Sequence, residues 1–187
     1  MRNLLILLTS AGFLTGCSAS LNHYRGNEPR LALDRFFNGE LVAHGIVQDY
    51  SGKVIRRFRA DIQGRWQGDR GVLDERFEFS DGEIQTRCWQ LRKDGDRYTG
   101  SAGDVVGEAR GEAAGNALNW RYRLRVPVGE REWVLALDDW MYLVDETHLI
   151  NRTRMRKFGL TVGELTLHIQ KLSDAAGAPL DPACQPD

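Results

Sequence analysis

The side chains best suited to chemistry in this chain sit on short alternating segments, not in a compact catalytic motif. Val72 to Leu91 reads as a hairpin turning at Ser80-Asp81-Gly82. If Gly82 takes the left-handed position of a three-residue loop, Phe79 pairs with Glu83, which sets Glu75 opposite Arg87 and Leu73 opposite Trp89. A carboxylate and a guanidinium among aromatics can anchor a polar ligand head or set up acid–base chemistry, or they can be a plain ion pair bridging two strands. A two-residue loop would instead put Glu75 opposite Cys88 and dissolve the pair. Asp138 and Asp139 point to opposite faces of a strand, so they cannot form a close dyad. An inward Asp needs a partner, and Asn151, Arg152 and Arg154 on the next strand are the candidates. Arg152, Arg154 and Arg156 share one face, either a solvated outer wall or a surface for anionic headgroups.

Other chemical signatures are sparse. His23 falls in a polar stretch, His148 in a turn and His168 on a wet face, leaving His44 as the one histidine expected to be enclosed. HExxH, GxSxG, paired CxxC and phosphate-loop patterns are missing, so no catalytic set, metal or cofactor is expected. The 187 residues carry 25 Lys+Arg against 26 Asp+Glu, a formal charge of -1, and 42% of them are hydrophobic. That balance is globular, and it removes the concentrated basic surface a nucleic-acid binder needs.

The elements that must position these residues are strands. Turn signals recur from Tyr50-Ser51-Gly52 to Asp145-Glu146 at intervals of about 8–16 residues, which suits antiparallel hairpins. Leu118, Trp120, Tyr122, Leu124 and Val126 alternate with Asn119, Arg121, Arg123 and Arg125; Leu165, Leu167 and Ile169 alternate with polar neighbours. The expected fold is all-β: an antiparallel barrel or strongly curved sheet of about ten strands, with one short helix over Leu31–Asn38. Trp133 to Val144 is apolar on both faces apart from the two aspartates, which predicts a strand covered on both sides by the helix or a partner. Read as a strand, Gly103, Val105, Gly107, Ala109, Gly111 and Ala113 form a smooth strip that leaves room for a ligand or receives a neighbouring tryptophan.

The N-terminus carries an address. Met1-Arg2-Asn3 is a short positive lead, and Leu4 to Leu14 is apolar but too short to span a bilayer. Leu14-Thr15-Gly16-Cys17 resembles the bacterial lipoprotein box, which implies cleavage before Cys17 and acylation of its thiol and amine. With Ser18 following, the resemblance implies a protein anchored to membrane lipid at the periplasmic face of the outer membrane. The resulting division is a leader over 1–16, a lipidated tether over 17–30, a β-barrel domain over 31–172 and a tail over 173–187. Cys88 and Cys184 are left as a possible disulfide that would staple the tail to the body.

The body resembles a family of uncharacterised proteobacterial lipoproteins, a domain of unknown function. That resemblance rests on Arg35-Phe36-Phe37-Asn38-Gly39, Phe77-Glu78-Phe79-Ser80-Asp81-Gly82, Gly115-Asn116-Ala117, Asp138-Asp139-Trp140-Met141-Tyr142 and Lys157-Phe158-Gly159. Its architecture is similar to lipocalin-like barrels, an analogy of fold alone. The leading expectation is a lipoprotein that encloses a hydrophobic or amphiphilic small molecule, such as a fatty acid or lipid. Its ligand-binding set is Glu75, Arg87, Trp89, Trp120, Tyr122, Asp139, Trp140, Arg152 and Arg154, with Arg87 or an arginine of 152–154 holding an acidic head. Two alternatives stand beside it. One is an assembly lipoprotein that supports another envelope protein through Trp133–Val144. The other is a lipid-modifying enzyme using Glu75 or Asp139 as general base.

Overall fold

The computed structural model describes residues 19–175, 177 and 179–185; the expected leader and the Cys17 anchor lie outside the described residues. Ten antiparallel strands run up and down: β1 (Gly39–Asp49), β2 (Val54–Gln67), β3 (Arg70–Phe79), β4 (Ile84–Asp94), β5 (Arg97–Ser101), β6 (Ala109–Ala114), β7 (Ala117–Val128), β8 (Arg131–Leu143), β9 (His148–Lys157) and β10 (Leu160–Ser173). Each bonds its neighbours in sequence, and β10 returns to pair with β1, closing the barrel. Closure gives the first and last strands the partners that an open sheet would leave exposed.

Alternation decides what faces in. On β7, Leu118 and Trp120 are buried and Tyr122 and Leu124 pack against the same core, while Arg121, Arg123 and Arg125 are exposed. On β2, Phe58, Ala60 and Ile62 point inward. His44, expected to be enclosed, is exposed: its odd-numbered neighbours Ala43 and Gly45 take the inner face, and it pairs with His168 on the outer one.

One end of the barrel is plugged. Helix α1 is a single turn, Leu33–Phe36, shorter than the expected Leu31–Asn38 because the chain enters β1 at Gly39. Leu31, Leu33, Phe36 and Phe37 are all buried there. Four fastenings hold the plug. Trp66 Nε1 donates to the Phe37 carbonyl at 3.1 Å, and the Leu33 amide donates to Tyr98 Oη at 3.3 Å. Lys93 pairs with Asp34 at 2.6 Å, and Lys171 Nζ donates to the Arg35 carbonyl at 2.6 Å. Gly64 permits this seating, since a Cβ there would fall 2.0 Å from the Phe37 carbonyl oxygen.

The opposite end is a rim formed by the β1–β2, β3–β4, β7–β8 and β9–β10 hairpins. Among the described residues, eleven large apolar side chains are exposed, and nine of them lie at this rim: Tyr50, Val54, Ile55, Ile84, Val128, Trp133, Val134, Phe158 and Leu160. Val144 and Leu172 are the two at the plug end.

β5 and β6 stop short of the rim, and here the smooth strip read from 103 to 113 is corrected. Only Ala109–Ala114 is strand, because Gly107 takes a left-handed φ of 75°. Residues 102–108 instead fold against β7, with the Val106 amide donating to the Arg123 carbonyl and the Arg125 amide to the Asp104 carbonyl, both at 2.8 Å. Gly111 does receive a tryptophan: a Cβ there would sit 2.3 Å from the Trp120 ring.

Both ends of the described chain lie against the outer wall. A 3-10 turn at Leu21–Tyr24 brings Tyr24 onto Trp140 and Tyr142, with ring centroids 6.1 and 5.6 Å away. At the other end, Cys184 forms a disulfide with Cys88 (Cα–Cα 5.4 Å), and Leu180 packs beside it on Val72.

Candidate functional site

Below the plug the barrel retains a cavity of about 110 Å³. Its walls are mostly apolar, including Ala43, Phe58, Ala60, Phe77, Leu165 and Leu167, and one side carries Glu75, Arg87, Tyr122, Asp139 and Asn151. Strand register assembles this polar side. The three-residue loop forms with Gly82 left-handed (φ 86°) and the Phe79 amide donating to the Glu83 carbonyl, so Glu75 faces Arg87 and Leu73 faces Trp89. On β7 and β8, Trp120 pairs opposite Asp139, and β9 adds Thr153 opposite Asp139.

Arg87 is held from two sides. Its Nη2 lies 2.7 Å from Asp104 Oδ2, with Nε at 3.0 and 3.1 Å from the two Asp104 oxygens, and Nη1 is 3.6 Å from Glu75 Oε2. β4 pairs with β5 only over Gln90–Asp94, so the Arg87–Asp104 contact bridges β4 to the 102–108 segment where backbone pairing has ended. Burial opposes the Arg87 charge, but Glu75 and Asp104 outweigh it, and its pKa rises.

The two inward carboxyls stand apart from ordinary ones. Burial pushes Glu75 up to about 7 against the pull of Arg87, with Asp104 and Asp139 adding to the rise. Burial also pushes Asp139 up to about 7, against hydrogen bonds from Asn151 Nδ2 and from Thr153 Oγ1 at 3.0 Å. Tyr122 is raised by burial and by Asp139, so it stays a neutral phenol. Glu75 Oε2 is shielded from solvent and has no hydrogen-bond partner. Chemically, the cluster can accept or donate a proton near neutral pH, and Glu75 Oε2, ion-paired with Arg87 at 3.6 Å, accepts no hydrogen bond. Aromatic edges frame it: Trp89 stands edge-on to Trp120 at 5.8 Å and to Tyr122 at 5.4 Å.

Of the expected ligand-binding set, Glu75, Arg87, Trp89, Trp120, Tyr122 and Asp139 meet inside the barrel. Trp140, Arg152 and Arg154 do not. With Asp139 and Thr153 facing in, the two-residue period puts them on the outer face. There Arg152 and Arg154 reach Glu164 at 3.2 and 3.6 Å, and Trp140 lies under Tyr24. Trp133–Val144 is therefore covered on both sides only in part: the lumen takes its inner face and the N-terminal segment covers Trp140 and Tyr142 outside, while Trp133, Val134 and Val144 are exposed. Asp138 also faces out, accepting from Asn119 Nδ2 at 2.9 Å and pairing with Arg121 at 3.4 Å.

Sequence reasoning overlooked Thr153, Asp104 and Arg56. Thr153 is on the same face as Asn151 and was findable by alternation. Asp104 reaches Arg87 from a segment without strand geometry, so no periodic signal marks it. Arg56 lies at the mouth, 3.6 Å above the Phe79 ring, and pairs with Asp81 at 2.7 Å and with Glu83. Among the described residues no group of three or more His, Cys, Asp and Glu is placed to hold a metal ion.

A family model described as "Protein of unknown function (DUF3833)" matches residues 11–171 of the chain. No curated protein matches it significantly.

Proposed function

This chain belongs to the DUF3833 family, and we propose that its barrel binds a single-chain amphiphile, apolar body in the lumen and polar end on Glu75 and Asp139. The observation that carries this reading is Glu75 Oε2, a buried carboxyl oxygen without a hydrogen-bond partner beside an apolar cavity. Leaving such an atom unsatisfied costs roughly 1–3 kcal/mol, a cost that a donating guest removes.

Size narrows the guest. The cavity is well below the roughly 300–1,000 Å³ of common small-molecule pockets. It takes a head and the first methylenes, with the remaining chain running past Phe58, Phe77, Leu165 and Leu167 toward the rim; a diacyl lipid is too bulky. Electrostatics narrow it further. Arg87 is already engaged by Asp104 and Glu75, so the head is one that donates to a carboxyl: a hydroxyl, an amide or a protonated fatty acid. The setting we propose is the periplasmic face of the outer membrane, with Cys17 acylated; the Leu14-Thr15-Gly16-Cys17 box supports it. Labelling the wild-type chain and Cys17→Ser with a radioactive fatty acid checks that anchor.

The lumen reading is tested by titrating the purified chain with a fluorescent fatty-acid analogue. Ala60→Leu, which fills the cavity, is expected to weaken binding by about tenfold or more, or about 1.4 kcal/mol. Glu75→Gln, which keeps the shape, is expected to shift the pH dependence of binding. Saturable binding by the parent with both changes supports the reading. No binding by the parent, or an unchanged affinity in a folded Ala60→Leu, would overturn it.

A further inference from the structure

Folding explains neither the exposure nor the backbone of Phe158. The Phe158-Gly159 tip joins β9 to β10 in a two-residue turn with φ of 51° and 82°, a geometry that favours Asn-Gly. Phe158 holds a left-handed conformation that side chains of its kind seldom adopt, and it is 93% exposed, so packing returns nothing for it. The same rim exposes neighbours in pairs, Val54 with Ile55 and Trp133 with Val134. Adjacent strand residues point to opposite faces, so exposure of both means that these hairpins project beyond the barrel wall.

From this arrangement we infer that the rim docks on a phospholipid bilayer, its hairpin tips entering the headgroup layer. Three observations select a bilayer as the occupant. The apolar tips belong to four separate hairpins rather than one continuous groove, which fits a fluid surface that moulds around each tip. Lys157 sits among them, its amine 5.6 Å from the Trp133 ring and 5.1 Å from the Phe158 ring while donating to the Val134 carbonyl at 3.2 Å. A cation at the root of an aromatic tip is placed for lipid phosphates while the rings go deeper. The N-terminal segment also lies along the barrel wall. Tyr24 meets the Gly115 turn at the plug end, and Ala19–Asn22 line a hollow of the β6–β7 wall with Glu112 and with Glu108 and Arg121, which stand on the rim side of it. The apolar Leu4–Leu14 run and Cys17 precede that point. Acidic residues Glu130 and Glu132 share the rim with Arg131 and Lys157, so apolar contact rather than net charge carries the docking.

This inference does not depend on a ligand in the lumen, and its test leaves the lumen untouched. The full chain is incorporated into phosphatidylcholine vesicles whose acyl chains carry bromine, a contact quencher of tryptophan emission. Phe158→Trp and, separately, Leu160→Trp report from the rim; Val144→Trp reports from an exposed site at the plug end. The added rim tryptophans are expected to lose at least about twice the fraction of emission that the plug-end tryptophan loses. Equal loss at the three positions, or rim emission unquenched relative to the parent chain, would overturn the inference, a protein-facing rim included.

Discussion

At the plug end, hairpins turn through Gln67-Gly68-Asp69, Asp94-Gly95-Asp96 and Asp145-Glu146-Thr147, and apolar side chains are folded inward as Leu31, Leu33, Phe36 and Phe37. At the rim, hairpins of the same sheet end in Tyr50, Ile84, Trp133 and Phe158, turned outward. The plug is fastened by side chains from β2, β4, β5 and β10, whereas the rim carries a strained aromatic left almost wholly in solvent. The first end is accounted for by stability. The second costs stability, so its apolar residues answer to something outside the fold. Between the two ends lies a cavity of about 110 Å³, apolar over most of its wall, with Glu75, Arg87 and Asp139 on one side.

The contrast can be broken from either side. The largest effects belong to the interior and the plug. Arg87→Met leaves Glu75 and Asp104 without their counter-charge and should destabilise by roughly 3–5 kcal/mol. Phe37→Ala should cost a similar roughly 3–5 kcal/mol by opening the plug. Chemical denaturation reads both, and losses under about 1 kcal/mol would mean that neither group holds the barrel together. Cys184→Ser should cost roughly 2–4 kcal/mol, since the bridge spans a sequence separation of 96. That loss should appear equally on reduction of the parent.

A pH effect comes next. In the folded chain Glu75 and Asp139 keep their protons to about 7, but on unfolding they release them near 4.5 and 3.8. The folded state binds more protons between those values, so this contribution is fully present at low pH and fades as pH rises through 7. Melting temperature should therefore fall from pH 5 to pH 8, by about 2–4 °C per kcal/mol lost. Glu75→Gln should flatten the slope; a slope unchanged in Glu75→Gln and in Asp139→Asn would place the effect elsewhere. The smallest expected change has the opposite sign. Phe158→Asn relieves the left-handed strain and should stabilise by up to about 1 kcal/mol in chemical denaturation.

Much of the plan is legible in the sequence because strand alternation has only two phases. Leu118 to Val126 and Leu165 to Ile169 declare an inner face, and Ser80-Asp81-Gly82 marks a turn whose three-residue form, the one the structure takes, sets Glu75 against Arg87. Where both phases are apolar the rule cannot choose a face: Trp140 belongs to the expected ligand-binding set, but it lies with Tyr142 on the outer wall under Tyr24, a contact that nothing local announces. Arg152 and Arg154 fall with them, since their side of β9 is decided by Thr153. The 102–108 segment imitates a strand in its Gly and Val spacing, yet the positive φ at Gly107 turns it against β7, and Asp104 reaches Arg87 only through that fold. Nearest-neighbour periodicity carries no information about such long-range pairing. The pairing of Cys88 with Cys184 was equally open, because a tail rich in Pro and Ala has no phase to read.

Native mass spectrometry of the chain purified under mild conditions tests most directly whether the lumen is a binding site. The parent should carry the mass of one single-chain amphiphile, released on unfolding and missing from a folded Ala60→Leu. A parent spectrum showing the bare polypeptide alone, or the same adduct retained by Ala60→Leu, would contradict a guest seated beside Glu75.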